Sequence, residues 1–422
     1  MYLARTRART LVLVTMATIA WAATLPPAAS TAALSWSPYR TWDLGNGVTL
    51  TRWDEPSEPN KAFVLKFSPG ASAATTDVIM PDTSMPQSET LSRMGIDSGA
   101  IAAINGDFGQ GRPYHSTAVD GALWQSGPQN GENFSLAADE SGAYIGRSRP
   151  RVFVSGPTGR FSVDRWNDGD PTGAEVAAYS PEAGSLENPT DGQCAVRLVP
   201  SGPRFWTDAR KSVGQDYVIE GRRCRRTRAI RERAGMTVLA TPRDRDNPNR
   251  HFIRDLAVGQ TVSVKWTMGW PGVLDTIGGR PQIVDEGENI VPDVPCSSNN
   301  SPLFCKNPRT GVGFDAEGNV YLVVVDGRQS GWSVGLFPKD FADFFVNQLH
   351  VRDALNLDGG GSSEMWTIQK GDWCYSPTAA PVGCVVNRAN SSPGGYQERE
   401  LENALAVLPG PDPGEIPPPV EG

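Results

Sequence analysis

Apolar residues fill every position from Val320 to Val325 (VYLVVV), and the run stops at Asp326-Gly327-Arg328. A short apolar run closed by a turn signal predicts a buried strand. Further on, Phe341, Phe344, Phe345 and Leu349 recur at helical spacing behind Pro338. Proline suits a first helical turn, so residues 338–350 read as a helix with its aromatic stripe in the core. Residues 354–357 (ALNL) read as a second buried strand, closed by Asp358-Gly359. Strand, helix and strand make a crossover unit, which brings the ends of two parallel strands to one sheet edge. Ligands gather outside the carboxyl ends of such strands. Asp326, Arg328 and Asp358 are therefore expected around one pocket.

Elsewhere the pattern is shorter in range. Residues 62–67 and 100–104 read as strands, 88–94 as a short helix with Ser88 as N-cap, and Asn46-Gly47 as a hairpin turn. From Val152 to Val291, β-like runs such as 236–241 and Thr261–Thr267 alternate with Pro, Gly and Asp clusters. Residues 155–270 are expected as an insert domain or elaborate loops. The basic run 222–233 is expected to be a solvated face balanced by nearby acids. Residues 364–368 and 402–408 read as closing strands, and 409–422 as a flexible Pro-rich tail.

The first 33 residues are of a different kind. Arg5, Arg7 and Arg9 precede a charge-free apolar stretch, 11–25, and small residues from Ala28 to Ala33 follow it. This predicts a secretory signal peptide over 1–33, because the apolar run is short of the roughly 20 residues a membrane span needs. Without those three arginines the net charge of −8 becomes −11. So acidic a chain is a poor partner for nucleic acid, which requires basic surface. The six cysteines of an exported chain point to disulfides, and the sequence neighbours 194–224, 296–305 and 374–384 are the expected pairs. No C-x-x-C spacing and no nearby histidine suggests zinc. Forty-five Gly and 35 Pro spread through 422 residues indicate a loop-rich, β-leaning chain.

The candidate chemistry sits where apolar runs end. Asp358-Gly359-Gly360-Gly361-Ser362 is either an anion-binding concavity of backbone N–H groups or a hairpin that needs glycine only for its geometry. It is no Walker loop, no dinucleotide fingerprint and no nucleophile elbow. Asp107, Asp326 and Asp358 each follow an apolar run and lie next to glycine, as paired acids of a glycosidase would. Arg309 and Arg328 lie in similar loops, and the planar guanidinium suits phosphate. Of the three histidines only His115 follows such a motif. No cofactor is expected, although the same acids would also suit Ca²⁺.

Taken in order, Asn105-Gly106-Asp107-Phe108, Ile277-Gly278-Gly279-Arg280-Pro281, Asn307-Pro308-Arg309-Thr310-Gly311, Val325-Asp326-Gly327-Arg328, Asp353 through Ser363 and Asn403-Ala404-Leu405 resemble the blocks of the phosphodiester glycosidase family. This is the domain of the phosphodiester α-N-acetylglucosaminidase uncovering enzyme and of many bacterial exported proteins. The resemblance covers about 60–408 and is strongest over 305–365. It implies an α+β domain over 34–408, with a mixed sheet core and few helices packed on it. It implies hydrolysis of a sugar from a glycosyl phosphodiester. By residue-wise transfer, Asp326, Asp358 and Asp107 would be catalytic, and Asn105, Arg309, Thr310, Arg328, Gly359, Gly360, Gly361 and Ser362 would bind substrate. The chain departs from the family at Asp107, where Gly is more usual, and at Gly109, where a second aromatic is common.

The expected protein is thus a secreted phosphodiester glycosidase, without a stable membrane anchor, whose partner is a sugar-phosphate compound or polymer. The alternatives are a non-catalytic binder of cell-wall polysaccharide or polyol phosphate, and a hydrolase of neutral glycosides.

Overall fold

A computed structural model describes residues 34–410 except 70, 128–131, 137–141, 185–188, 225–229, 231–233, 245, 376–381 and 390–397. The expected signal peptide, the tail beyond 410 and most of the basic run lie outside the described residues. The elements that position the site are β1 (Asn60–Phe67), α1 (Leu91–Ser98), β2 (Ala102–Asn105), β3 (Arg309–Phe314), β4 (Val320–Val325), α2 (Pro338–Leu349), β5 (Asp353–Asn356), β6 (Met365–Thr367) and β7 (Ala404–Pro409).

β4 is apolar throughout because both its faces are covered. Side chains alternate across a strand. Val320, Leu322 and Val324 enter one core cluster, and Tyr321, Val323 and Val325 enter another. Strands of this kind read as continuous apolar runs rather than as alternation. The eight-stranded sheet to which β4 belongs runs Ser37–Asp43, Thr49–Glu55, β1, β4, β3, β5, Gln282–Asp285, Glu288–Asn289. β3 is antiparallel to both β4 and β5. The strands joined by α2 are therefore parallel to each other, as expected, with β3 between them. Their carboxyl ends, and so Asp326 and Asp358, share one edge.

α2 covers the outer face of this sheet with Phe341, Phe344, Phe345 and Leu349. β3 admits the helix through two glycines: a Cβ on Gly311 would lie 3.0 Å from the Phe341 ring, and one on Gly313 would lie 3.1 Å from Phe345. Cutting Phe341 to Ala would cost about 3–5 kcal/mol. The inner face packs on a five-stranded sheet in the order Cys384–Val385, β6, β2, β7, Ala74–Ile79. Ala102 and Ile104 of β2 and Leu405 and Val407 of β7 meet Leu322, Val324 and Leu355 between the sheets. The far side of this second sheet carries α1, with Leu91 and Met94 against Trp366. The layers are thus helix, sheet, sheet, helix, an α+β fold dominated by sheet.

α1 begins at Leu91 behind Thr90, not at residue 88. Ser88 caps nothing there: its hydroxyl donates to Glu400 Oε2 at 2.9 Å, and Glu89–Thr90 pairs with Glu400–Leu401. The Asn46-Gly47 turn joins Ser37–Asp43 to Thr49–Glu55, with φ of 52° and 75°.

Between β2 and β3 the chain builds a nine-stranded sheet from strands lying between Arg151 and Thr267, around its own apolar cluster. All three expected cysteine pairs are disulfides. Cys194–Cys224 joins residues directly opposite each other in the ladder of Gln193–Pro200 and Ser212–Cys224.

Candidate functional site

The three glycines after β5 are needed for three different reasons. A Cβ on Gly359 would lie 2.9 Å from the Pro308 carbonyl oxygen. Gly360 has φ +67°, in the left-handed region that favours glycine, and a Cβ there would lie 3.1 Å from Arg328 Nη2. A Cβ on Gly361 would lie 2.8 Å from Arg399 Nη2. The amides of Gly359 and Gly360 do not converge on open space as those of an anion nest would. Gly359 N–H donates to Asp358 Oδ1 at 2.9 Å and Gly360 N–H to Pro308 O at 3.0 Å. What surrounds the loop instead is positive charge. Arg328 lies over Gly360, its Nε and Nη2 donating to Asn307 Oδ1 at 3.1 and 2.7 Å. Arg399 lies over Gly361 and donates to Ser362 Oγ at 3.4 Å.

Asp358 is tied to β2 on both sides of its peptide. Its N–H donates to Gly106 O at 3.0 Å, and its carbonyl accepts from Asn105 Nδ2 at 2.7 Å. Burial pushes its carboxyl up to about 6; the charge of Asp107 adds to the rise, while Ser362, the Gly359 amide and Arg399 oppose it. Asp326 is more deeply enclosed. It accepts Trp332 Nε1 at 2.7 Å, Asn387 Nδ2 at 2.9 Å and the Arg388 N–H at 3.1 Å. Burial raises its carboxyl, against those three hydrogen bonds. Its oxygens are thus occupied in fixing Trp332 and the 387–388 segment, and Arg388 stacks 3.7 Å from the Trp332 ring centroid.

Asn105 and Thr310 meet each other and face no open space. Thr310 Oγ1 donates to Asn105 Oδ1 at 2.7 Å, the same oxygen accepts the Glu364 N–H at 3.0 Å, and both residues are fully buried. The pair joins the two sheets beneath the loop. Arg309 is one residue along β3 and therefore on the opposite, helix-facing side. Its guanidinium donates to Leu336 O at 3.0 Å, Leu303 O at 2.8 Å and Cys305 O at 2.5 Å. Burial, then nearby Arg328, pushes it down to about 10. The expectation that Arg309 and Asn105 reach substrate is thus met by side chains that hold the scaffold. Strand alternation turns the first away, and the junction between the sheets encloses the second.

Asp107 forms the other wall. Asn403 Oδ1 accepts its N–H at 2.8 Å. Its own carboxylate accepts Phe108 N–H at 2.7 Å, His115 N–H at 2.6 Å and His115 Nδ1 at 2.6 Å. His115 is fully buried, and its Nε2 has no hydrogen-bond partner among the described residues. Gly278 packs against both: a Cβ there would meet His115 Cβ at 2.1 Å and Asp107 Oδ2 at 3.1 Å. Glu402 closes the arc by accepting Gly111 N–H at 3.0 Å; burial and then Asp107 raise its carboxyl, and Arg399 opposes the rise.

The expected blocks therefore do come together, with Asp358, Asp107, Arg328 and the three glycines at the site. Arg399 and Glu402 were not legible, since each is an isolated polar residue without a glycine or strand end to mark it, whereas His115 was marked by the motif it follows. Among the described residues one acidic group has metal-ligand spacing: Asp77, Asp120 and Asp275, with candidate oxygens within 4.8 Å of one another. None of the three is a residue of the glycine loop.

Residues 212–408 match the phosphodiester glycosidase family. The match begins inside the stretch expected as an insert and contains Arg309, Asp326, Arg328, Asp358 and the glycines. No curated protein matches the chain. Three solved structures resemble it. A hypothetical protein of Synechocystis has TM-score 0.60 and 17% identity over 86% of this chain and 62% of its own. A protein of Burkholderia pseudomallei described as exported has TM-score 0.55 and 18% identity over 83% of this chain and 74% of its own. The catalytic domain of zebrafish N-acetylglucosamine-1-phosphodiester α-N-acetylglucosaminidase has TM-score 0.43 and 14% identity over 90% of this chain and 85% of its own. The chain spans less than two thirds of the length of the Synechocystis structure. At such identities the first two likenesses establish a shared fold. The likeness of this chain to the phosphodiester glycosidase family is thus carried by residues 212–408, just under half of its length.

Proposed function

We propose that the protein is an exported hydrolase that releases a sugar from a glycosyl phosphodiester. One observation carries this reading: on an acidic chain, Arg328 and Arg399 flank Gly360 and Gly361, beside Asp358, whose carboxyl is held near 6. Two guanidiniums over a glycine loop match the charge and planar oxygens of a phosphodiester. A carboxyl poised near neutrality suits proton transfer. Arg328, Arg399 and Ser362 bind the phosphate, which leaves with little need of protonation. Asp358 takes up the proton of the water that attacks the anomeric carbon, or lends its own to the phosphate oxygen as the bond from that carbon to the phosphate breaks, and Asp107 tunes it. Asp326 positions Trp332 and Arg388, while Asn105, Thr310 and Arg309 hold the frame. The three disulfides fit an oxidising compartment, and among the described residues no helix is long and apolar enough to cross a membrane.

The test is turnover of a sugar-1-phosphodiester set against neutral glycosides with the same sugar. Release from the phosphodiester alone, lost in Asp358→Ala, supports the reading. Binding without turnover, or turnover of neutral glycosides alone, overturns it.

A further inference from the structure

The loop that begins at Asp107 walls a cavity of about 540 Å³, lined by Phe108, Arg112, Pro113, Tyr114, Gln125 and Asp168. That volume is within the roughly 300–1,000 Å³ of small-molecule sites. The wall is rigid. Asp107 holds Phe108 N–H together with the backbone N–H and Nδ1 of His115, Glu402 holds Gly111 N–H, and Tyr114 N–H donates to Phe108 O at 2.7 Å. Gln125 Nε2 donates to Pro113 O at 2.9 Å, which fixes the amide and leaves Oε1, in a side chain only 2% exposed, without a partner among the described residues. Tyr114 is 52% exposed, so its ring offers an open flat face. Arg112 crosses to the large sheet, donating to Asn167 O at 3.3 Å beside Asp168.

We propose that this cavity is a carbohydrate subsite, taking the sugar portion of the substrate whose phosphate the glycine loop holds. The proposal rests on the reading above for the phosphate and adds the place of the sugar. A sugar ring has apolar C–H faces that stack on an aromatic ring, and an edge of hydroxyls that needs fixed acceptors and donors. Tyr114 and Phe108 supply the first; Gln125 Oε1 and Asp168 supply acceptors for the second. A second phosphate is disfavoured, because Asp168 lines the cavity and Asp107 stands at the root of its wall. Asp168 follows Arg165–Trp166, a strand of the nine-stranded sheet. Sugar choice is thereby linked to a region that contributes no residue to the glycine loop.

The experiment titrates the full chain with methyl glycosides and disaccharides of glucose, mannose and N-acetylglucosamine, and separately with inorganic phosphate. Tyr114→Ala, at an exposed position, is compared with Tyr114→Trp and Arg399→Ala. The expected result is at least one sugar bound by the parent protein, tenfold or more weaker in Tyr114→Ala, and retained in Tyr114→Trp and Arg399→Ala. Phosphate binding should fall only in Arg399→Ala. No sugar bound by the parent, or equal sugar binding by Tyr114→Ala, overturns the subsite. Tyr114-dependent sugar binding without phosphate binding supports the subsite and overturns the phosphate reading instead.

Discussion

Asp107 Oδ1 and His115 Nδ1 lie 2.6 Å apart, both residues buried, and Gly278 is packed against the pair. This contact staples the ends of the 107–115 loop, so the loop stands as a preformed wall. It also anchors a carboxylate whose charge is felt at Asp358. The position at which the sequence departs from the usual motif of the family it resembles is therefore coupled to the candidate proton-transfer group.

That coupling gives a pH prediction. Asp107 raises the Asp358 carboxyl, so Asp107→Asn removes a negative neighbour and lets it ionise more readily. The inflection attributable to Asp358 in the pH profile of kcat/KM should move below its starting point of about 6. Whether Asp358 acts as acid or base, the shift has the same sign. An inflection that stays in place in a folded Asp107→Asn protein refutes the coupling.

Arg399 and Arg309 should fail in opposite ways. Arg399 is exposed and lies on the loop, so Arg399→Ala should raise KM for a phosphodiester about 10- to 100-fold, the loss of a charge-assisted contact worth about 1.5–3 kcal/mol, with the unfolding midpoint little changed. Arg309 is 1% exposed and holds three carbonyls. Its loss should cost about 3 kcal/mol or more of stability in urea unfolding without a selective effect on phosphate. If Arg309→Ala unfolds like the parent and binds phosphate poorly, these assignments are reversed.

The difference between those two arginines marks the limit of what the sequence reveals. The β4–α2–β5 unit was readable because complete burial leaves an apolar run, and a helix facing the core leaves an aromatic stripe. The motif blocks were readable because a chain that must approach another closely needs glycine. Which face of β3 carries the site was not readable. Arg309-Thr310-Gly311-Val312 alternates, but only the packing of α2 on Gly311 and Gly313 shows that the arginine side is the covered one. Nor could the sequence show that the Gly359 and Gly360 amides would be engaged by Asp358 and Pro308, or that Arg399, about forty residues on, would supply the second cation.

The glycine loop offers a graded series. Gly360→Ala places a side chain at φ +67°, which costs about 1–2 kcal/mol, and crowds Arg328 as well. It should lower both stability and activity. At Gly361 the obstacle is the far end of the Arg399 side chain, which can swing away. Gly361→Ala should keep the parent's thermal midpoint within a few degrees while KM for a phosphodiester rises. Equal losses of stability in the two variants would show that Arg399 is locked in place and not a mobile ligand arm.

Glu364, directly after the Gly-Ser-Ser turn, is 1% exposed, and its carboxyl faces that of Glu398. Glu398 stands beside it, itself accepting Ser92 N–H at 2.9 Å and Ser92 Oγ–H at 2.7 Å. Burial first, and then Glu398, raise the Glu364 carboxyl well above the ordinary glutamate range. The sign follows from linkage. A carboxyl raised in the folded state holds its proton more tightly than in the unfolded chain, so its contribution to stability is complete below the unfolded value near 4.5 and is lost as pH rises towards the folded one. The loss cannot exceed about 1.4 kcal/mol per pH unit for one group. Glu364→Gln keeps the shape and removes the titration. Relative to the parent it should therefore gain stability steadily between pH 5 and pH 8 in urea unfolding, and be near equal or weaker at pH 4. A constant difference across that range would mean that Glu364 ionises alike in the folded and unfolded chain.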